Sequence, residues 1–335
     1  MAVSIAVIGC GRIGRMHADL IDRQTPGLDL VAVTDVFAES AKTVGTEHQV
    51  DVAATADEIF SSDVEAVAIC TSTDTHVDLA VAAAQAGKAI FLEKPVSLSL
   101  PEIDRALGAV ATAGVPLHVG FNRRFDASHA AVRDAVVNGD VGDVHMVRIT
   151  SRDPEPPPIE YVKVSGGLFL DMMIHDFDMA RFVTGSDVVE VYAQAAVRVD
   201  RAIGEAGDVD TAVVVMTHEN GAITTIDNSR QAVYGYDQRV EAFGSAGMAA
   251  SDNPRDHTTQ VHRASGTERT TIPYFFLDRY IPSYLAQWSA FLDGVASGKM
   301  AVTGADGRAT LVMGLAAVRS FAEGRPVRTD EITGE

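Results

Sequence analysis

Asp171 and His175 stand four residues apart in the run Gly166-Gly167-Leu168-Phe169-Leu170-Asp171-Met172-Met173-Ile174-His175-Asp176-Phe177-Asp178-Met179. If this run is helical, the two side chains share a face. An imidazole beside a carboxylate is a positioned general base whose pKa can be tuned toward neutrality. A metal centre is the rival chemistry, but divalent ions take three or four protein ligands and no further His-rich cluster stands at binding spacing, so no metal is expected. For the helix alone, a purely structural His–Asp pair also stays open. The second group of interest is Glu93-Lys94-Pro95, which follows the apolar run Ala89-Ile90-Phe91-Leu92. A lysine at the carboxyl end of a buried parallel strand can face a cofactor on one side and a substrate on the other. The third is Gly9-Cys10-Gly11-Arg12-Ile13-Gly14, with Asp35 placed 21 residues after Gly14.

These groups need elements to hold them. The glycine run follows a strand, Ser4 to Ile8, and opens a helix from Arg15 to about Arg23, the context that gives the pattern its meaning. Glycine at 9 permits a tight turn, at 11 the approach of a pyrophosphate, and at 14 close packing of helix on strand. A second strand, Leu28 to Thr34, ends in Asp35, whose carboxylate can accept both ribose hydroxyls and repels the extra phosphate of NADP, so NAD is the expected cofactor. Helices over 38–47 and 55–60 and a strand over 66–70 continue the alternation, which predicts a doubly wound parallel sheet. Thr71-Ser72-Thr73-Asp74-Thr75-His76 leads into a helix over 77–86 and suits either helix capping or contact with the nicotinamide ribose. The expected cofactor contacts are Gly9, Gly11, Arg12, Ile13, Gly14, Asp35, Thr71, Ser72, His76, Glu93 and Lys94. A helix over 100–113 and a strand over 117–121 close a first domain, 1–121.

The texture then changes. Asn122-Arg123-Arg124-Phe125-Asp126 starts a helix running to about Asn138. Period-two strands follow at 144–150, 188–199, 211–217, 222–228 and 239–243, with Glu219-Asn220-Gly221 as a hairpin turn. The fold class expected for 122–335 is an α+β domain with a large, mainly antiparallel open sheet, helices on one face and a subunit on the other. Arg152-Asp153-Pro154-Glu155-Pro156-Pro157-Pro158 reads as an extended loop near the site. Helices over 280–297 and 306–323 end the chain.

Of 335 residues, 27 are Lys or Arg against 46 Asp or Glu, a formal net charge of −19. Such a surface repels phosphate backbones and anionic lipid, so neither nucleic acid nor membrane is an expected partner. Cys10 and Cys70 form no disulfide framework and read as buried fillers. No run reaches transmembrane length and no leader is evident, so a cytoplasmic location is expected.

The glycine motif, Asp35, Glu93-Lys94-Pro95 and the Asp171–His175 pair together resemble the Gfo/Idh/MocA oxidoreductases over essentially the whole chain. Gly120-Phe121-Asn122-Arg123-Arg124-Phe125-Asp126, the Gly166-Gly167 helix and Tyr234-Gly235-Tyr236-Asp237 are most similar to the inositol 2-dehydrogenases of that family. The resemblance implies a Rossmann domain, NAD, a homotetramer, and oxidation of a ring alcohol of a polyol or sugar. It further implies that His175 takes the hydroxyl proton, that Asp171 orients His175, and that Lys94 holds the reacting oxygen. Pro95 is expected to follow a cis peptide bond. Arg124, Asp153, His175 and Tyr236 are the expected substrate contacts, with Tyr280 and Tyr284 as further candidates. Asn122 and Asp153 stand where some inositol dehydrogenases carry methionine and asparagine, which leaves myo-inositol, scyllo-inositol or another pyranose open. A cofactor-binding sensor without turnover is the alternative outside enzymes; loss of the lysine or histidine would favour it, and both are present.

Overall fold

A computed structural model describes residues 2–334. They form two compact units, one holding the chain through Asn122 together with Tyr284–Leu311, the other Arg123–Ser283 with Val312–Thr333. The division expected at 121/122 is therefore not a single cut, because a late segment returns to the first unit.

In the first unit, short strands made of β-branched and small apolar residues alternate with helices: β1 (Val3–Ile8), α1 (Arg12–Gln24), β2 (Leu28–Thr34), α2 (Ala38–His48), β3 (Asp51–Val52), α3 (Ala56–Phe60), β4 (Ala66–Ile69), α4 (Thr73–Gln85), β5 (Ala89–Leu92), α5 (Leu100–Ala113) and β6 (Leu117–Val119). All neighbouring strands pair in parallel, in the order β3-β2-β1-β4-β5-β6. β4 and β5 are buried along their whole length, as strands covered on both faces must be. The order reverses between β1 and β4, and open α/β sheets bind ligands at the carboxyl ends on either side of such a point. Gly9, Asp35, Thr71 and Glu93 all lie just beyond those ends. β3 escaped the sequence reading because its two residues are both exposed and carry no pattern.

The second unit opens with a 3₁₀ turn (Asn122–Phe125, whose Asn122 still belongs to the first unit) and α6 (Ala127–Val137). The helix expected from Asn122 begins instead at Ala127, since Asp126 caps it by accepting the amides of Ser128 and His129. Then come β7 (Val144–Arg152), α7 (Ile159–Ser165), a π-helical turn (Leu168–Met172), α8 (Ile174–Thr184), β8 (Val188–Ala196), α9 (Arg201–Glu205), β9 (Thr211–His218), β10 (Ile223–Ser229), β11 (Asp237–Gly244), β12 (Met248–Ala250) and an exposed hairpin of β13 (Gln260–Arg263) and β14 (Gly266–Arg269). The chain ends with α10 (Phe276–Ser297), α11 (Gly304–Glu323) and β15 (Val327–Arg328). Seven strands form an open sheet in the order β12-β11-β7-β10-β9-β8-β15, antiparallel except for the parallel pair β7–β10. One face of this sheet builds the core with α8 and the end of α11, through Val147, Ile149, Val191, Val214, Met216, Phe177 and Met313. The other face presents Met146, Val213, Val215, Ile223 and Phe243, all substantially exposed.

The run expected as one helix over the Asp171–His175 pair is broken. Gly166 and Gly167 both take positive φ, and the Leu168 amide donates to the Asp208 carboxylate. The Met173 amide then reaches back five residues to the Leu168 carbonyl, at 2.9 Å, before α8 resumes the ordinary spacing.

Candidate active site

In the first unit, the glycine loop shows three different demands. Gly9 has φ +97°, where a side chain is strained, and a Cβ there would lie 2.8 Å from the backbone of Cys70 and Thr71. A Cβ on Gly14 would lie 1.8 Å from the Gly9 carbonyl oxygen. Around the Cβ position of Gly11 there is nothing within 4 Å. The amino end of α1 has no side-chain cap and no acidic residue in its first turn. Open space before an uncapped helix end, with exposed Arg12 and half-buried Ile13 at its lip, fits a pyrophosphate. Asp35 accepts the Cys10 amide at 2.6 Å on one oxygen and the Phe37 amide at 2.8 Å on the other. A carboxylate offers about four acceptor positions, so it still has lone pairs for ribose hydroxyls. Burial, aided by Asp35, pushes the Cys10 thiol up to about 11, so it stays protonated and is no nucleophile.

Ser72 is the N-cap residue of α4 by position, yet its side chain makes no capping bond, and Thr71 accepts from Thr75 at 2.7 Å. Of the two roles open to these hydroxyls, capping is not the one Ser72 takes. His76 is buried, with Nδ1 2.8 Å from the Pro95 carbonyl and Nε2 3.2 Å from the Thr71 carbonyl. Both nitrogens face carbonyl oxygens, and a neutral imidazole can donate to only one of them. Burial lowers its pKa, with the two carbonyls opposing. Both Glu93 oxygens are likewise engaged by protein: Oε1 with His17 Nε2 at 2.8 Å, and Oε2 with the Lys94 amide at 3.0 Å. Lys94 is half-buried, and its peptide bond to Pro95 is cis, as expected. Tyr284 packs edge-on against His17, with ring centroids 5.5 Å apart, inside this unit's core.

In the second unit, Asp171 accepts from the Tyr161 hydroxyl at 2.8 Å and from Arg230 Nη2 at 3.2 Å. Arg230 Nη1 reaches Asp153 at 3.5 Å, so one buried guanidinium spans the two carboxylates. Desolvation raises the Asp153 pKa; Arg230 opposes this and Asp171 adds to it. His175 is half-buried at the start of α8. Next to it, Asp176 is fully buried and accepts from Arg123 at 2.7 Å and Asn228 at 2.9 Å. Burial pushes its carboxyl up to about 6 although Arg123 pulls the other way. Burial works against the Arg123 charge, and the carboxylates of Asp176, 2.7 Å away, and Asp153 favour it. Arg123 also donates to the Tyr236 hydroxyl at 3.3 Å and to Ser151 at 3.1 Å, and the Tyr236 ring meets Tyr280 edge-on at 5.9 Å. Burial raises both phenols, that of Tyr280 to about 12, and the Tyr280 hydroxyl is a buried oxygen with no partner among the described residues.

Asp153, Asp171, Tyr236 and, through them, Arg230 and Arg123 therefore share one polar neighbourhood. Arg124 does not join it through these bonds: its guanidinium grips Asp178 twice, at 2.8 and 2.5 Å. Sequence reasoning passed over Arg123, Asp176, Arg230 and Tyr161. The paired spacing of Arg123-Arg124 with Asp176 and Asp178 was the available signal for the first two. Nothing in the order of residues brings Arg230 to Asp171.

Two family models match the chain: one described as an oxidoreductase family with an NAD-binding Rossmann fold, over residues 3–121, and the GFO/IDH/MocA C-terminal domain, over residues 129–250. The chain is 46% identical to the myo-inositol 2-dehydrogenase of Thermotoga maritima, covering 98% of this chain and 99% of that protein. It is 44% identical to the inositol 2-dehydrogenase of Rhizobium meliloti, over 98% and 99%. The crystal structure of scyllo-inositol dehydrogenase from Lactobacillus casei with bound NAD(H) and scyllo-inositol superposes with a TM-score of 0.92 at 28% identity, over 98% of this chain and 100% of that one.

Proposed function

This chain belongs to the GFO/IDH/MocA oxidoreductase family, and from that premise we propose that it oxidises myo-inositol at the 2-hydroxyl to the 2-ketone. It is an NAD-dependent dehydrogenase. The observation that carries the substrate class is the concentration of hydrogen-bonding side chains around Asp171. Asp153, Tyr236, Tyr161, Arg230 and Arg123, bonded to one another and to Asp171, make a polar surround that suits a ring bearing a hydroxyl on every carbon; an apolar alcohol would desolvate it with no hydrogen bond in return. The names of the relatives narrow the polyol to an inositol.

In this reading His175 accepts the hydroxyl proton as general base, and Asp171 orients the imidazole and stabilises its charged form. The Lys94 ammonium stabilises negative charge on the reacting oxygen, more in the transition state than in the ground state. NAD, when bound, supplies the acceptor for the hydride leaving the same carbon. Gly9, Gly11, Gly14 and the start of α1 hold the pyrophosphate, Asp35 takes the adenosine ribose, and Thr71 and Ser72 offer hydroxyls to the nicotinamide side. Asp153 and Tyr236 read the substrate hydroxyls. Arg124 serves them from its anchor on Asp178. The apolar outer face of the seven-stranded sheet supports assembly into a homotetramer. The two free buried thiols agree with a reducing, cytoplasmic location.

The test is turnover. With NAD and a panel of myo-, scyllo- and chiro-inositol and common pyranoses, reduced nicotinamide should appear on myo-inositol, and Lys94→Ala or His175→Ala should each lower kcat by about 100-fold or more in folded protein. A folded wild-type protein that binds NAD but turns over nothing on the panel would refute the proposal.

A further inference from the structure

We infer that Trp288, His17 and Glu93 form a buried hydrogen-bond relay that fixes the direction of Lys94, which makes His17 and Trp288 positioning residues for the reaction. The inference rests on Lys94 acting as proposed above.

An indole N–H can only donate. Trp288 Nε1 lies 3.1 Å from His17 Nδ1, so Nδ1 is the acceptor and carries no proton. The imidazole is therefore neutral, and its one proton sits on Nε2, donating to Glu93 Oε1 at 2.8 Å. The second Glu93 oxygen accepts the Lys94 amide at 3.0 Å. Each bond in this series sets the orientation of the next group. His17 is 0% exposed and enclosed by the rings of Phe91, Tyr284 and Trp288, centroids 5.1 to 5.5 Å away, so it has no room to turn over and exchange its nitrogens. Gly120 closes the far side of the carboxylate, where a Cβ would lie 3.0 Å from Glu93 Cδ and Oε2.

A buried carboxylate is an expensive way to end a strand if packing is all that is required. The residues before Glu93 are wholly apolar, and an apolar side chain would continue that core. Because His17 is neutral, it aligns Glu93 without cancelling its charge. What the arrangement adds over an apolar residue is direction: a fixed acceptor for the backbone N–H of the residue that carries the ammonium. Catalysis is sensitive to this, since a misplacement of about 1 Å can cost about 100-fold.

Three variants test the relay. His17→Leu removes both bonds. His17→Gln can still accept from Trp288 and donate to Glu93. Trp288→Phe keeps the ring and loses the donor. We expect kcat to fall about tenfold or more in His17→Leu, with the Kd for NAD by calorimetry within about twofold of wild type, and most of the loss restored in His17→Gln. Trp288→Phe should lower kcat severalfold and leave the Kd alone. In a Lys94→Ala background, His17→Leu should cost nothing further, because the relay then has nothing to aim; a merely structural role would subtract again. Nitrogen-15 spectra of the wild-type protein should show His17 protonated on Nε2 only. The relay is overturned if Nδ1 carries the proton, if kcat in His17→Leu or Trp288→Phe stays within twofold of wild type, or if Leu and Gln lose activity equally and in step with melting temperature. If Lys94→Ala itself keeps its kcat, the role proposed for Lys94 fails and the relay with it; if Lys94→Ala is inactive and the His17 and Trp288 variants are not, only the relay falls.

Discussion

Asp35 and Asp210 show how far a single carboxylate can be read. Asp35 was legible because its distance from the glycine motif is a property of the chain, and Asp35→Ser should weaken NAD about tenfold while letting NADP turn over, read as the two kcat/KM values. Asp210 carried no signal. It is fully buried and accepts the amides of Arg198, Val199 and Asp200 at 2.7 to 3.0 Å. Burial alone would push its carboxyl up, but these amides win and hold it below its ordinary value of 3.8. A carboxyl depressed in the folded state contributes stability that is complete above the unfolded pKa and is lost as pH falls through the folded one. Asp210→Asn would set an NH₂ against backbone N–H groups and should cost about 3 kcal/mol at pH 7 by urea unfolding, a gap that narrows as the pH is taken below about 4. An equal gap at pH 7 and pH 3 would contradict the bonding described. Partners such as Arg230 for Asp171, or the two carbonyls for His76, are likewise through-space facts that no spacing announces.

Among the elements, the fully buried strands were the most legible, because a run apolar on both faces admits few other readings. The π-helical turn was not. Over the five residues Leu168–Met172, the α and π periods differ by less than one residue, and what selects the wider turn is the Asp208 carboxylate, 40 positions away, on the Leu168 amide. The bracketing of Asp171 and His175 by this change of spacing means that their relative direction is set by Gly166, Gly167 and Asp208 as much as by the pair itself. The glycine loop gives the sharpest prediction at this scale. Gly14→Ala would drive a Cβ into the Gly9 carbonyl, 1.8 Å away, so the loop and α1 must part. We expect a loss of about 3 kcal/mol in stability together with loss of measurable NAD binding, whereas Gly11→Ala, with nothing within 4 Å, should leave the melting temperature within a degree or two and weaken only the cofactor. Comparable stability losses in the two variants would refute this division of labour.

For the whole molecule, the two-part plan and the mainly antiparallel second sheet were visible in the switch from alternating helices to period-two strands. The return of Tyr284–Leu311 to the first unit was not visible, since an amphipathic helix does not name the surface it covers. A net charge of −19 opposes association, so the proposed tetramer would have to rest on apolar contact, for which the outer sheet face offers Val213 and Val215 on β9. Wild type should scatter light as a tetramer, and replacing both with glutamate should reduce it to smaller species with the circular dichroism spectrum unchanged; a monomeric wild type would refute the proposed assembly, and an intact tetramer in the variant would place the interface elsewhere. The returning segment also bears on synthesis. Trp288 stacks on Phe91 of β5 at 4.2 Å, and Phe291 adds its edge at 6.1 Å, so the centre of the first unit lacks its aromatic filling until those residues have been made. At about 5–20 residues per second, a ribosome needs on the order of 10–40 s to travel from the end of the first stretch to the end of the returning one. During that interval Phe91 lacks the two rings that cover it in the finished fold, so a fragment ending at Asn122 should be markedly less stable than the first unit within the full chain, by urea unfolding.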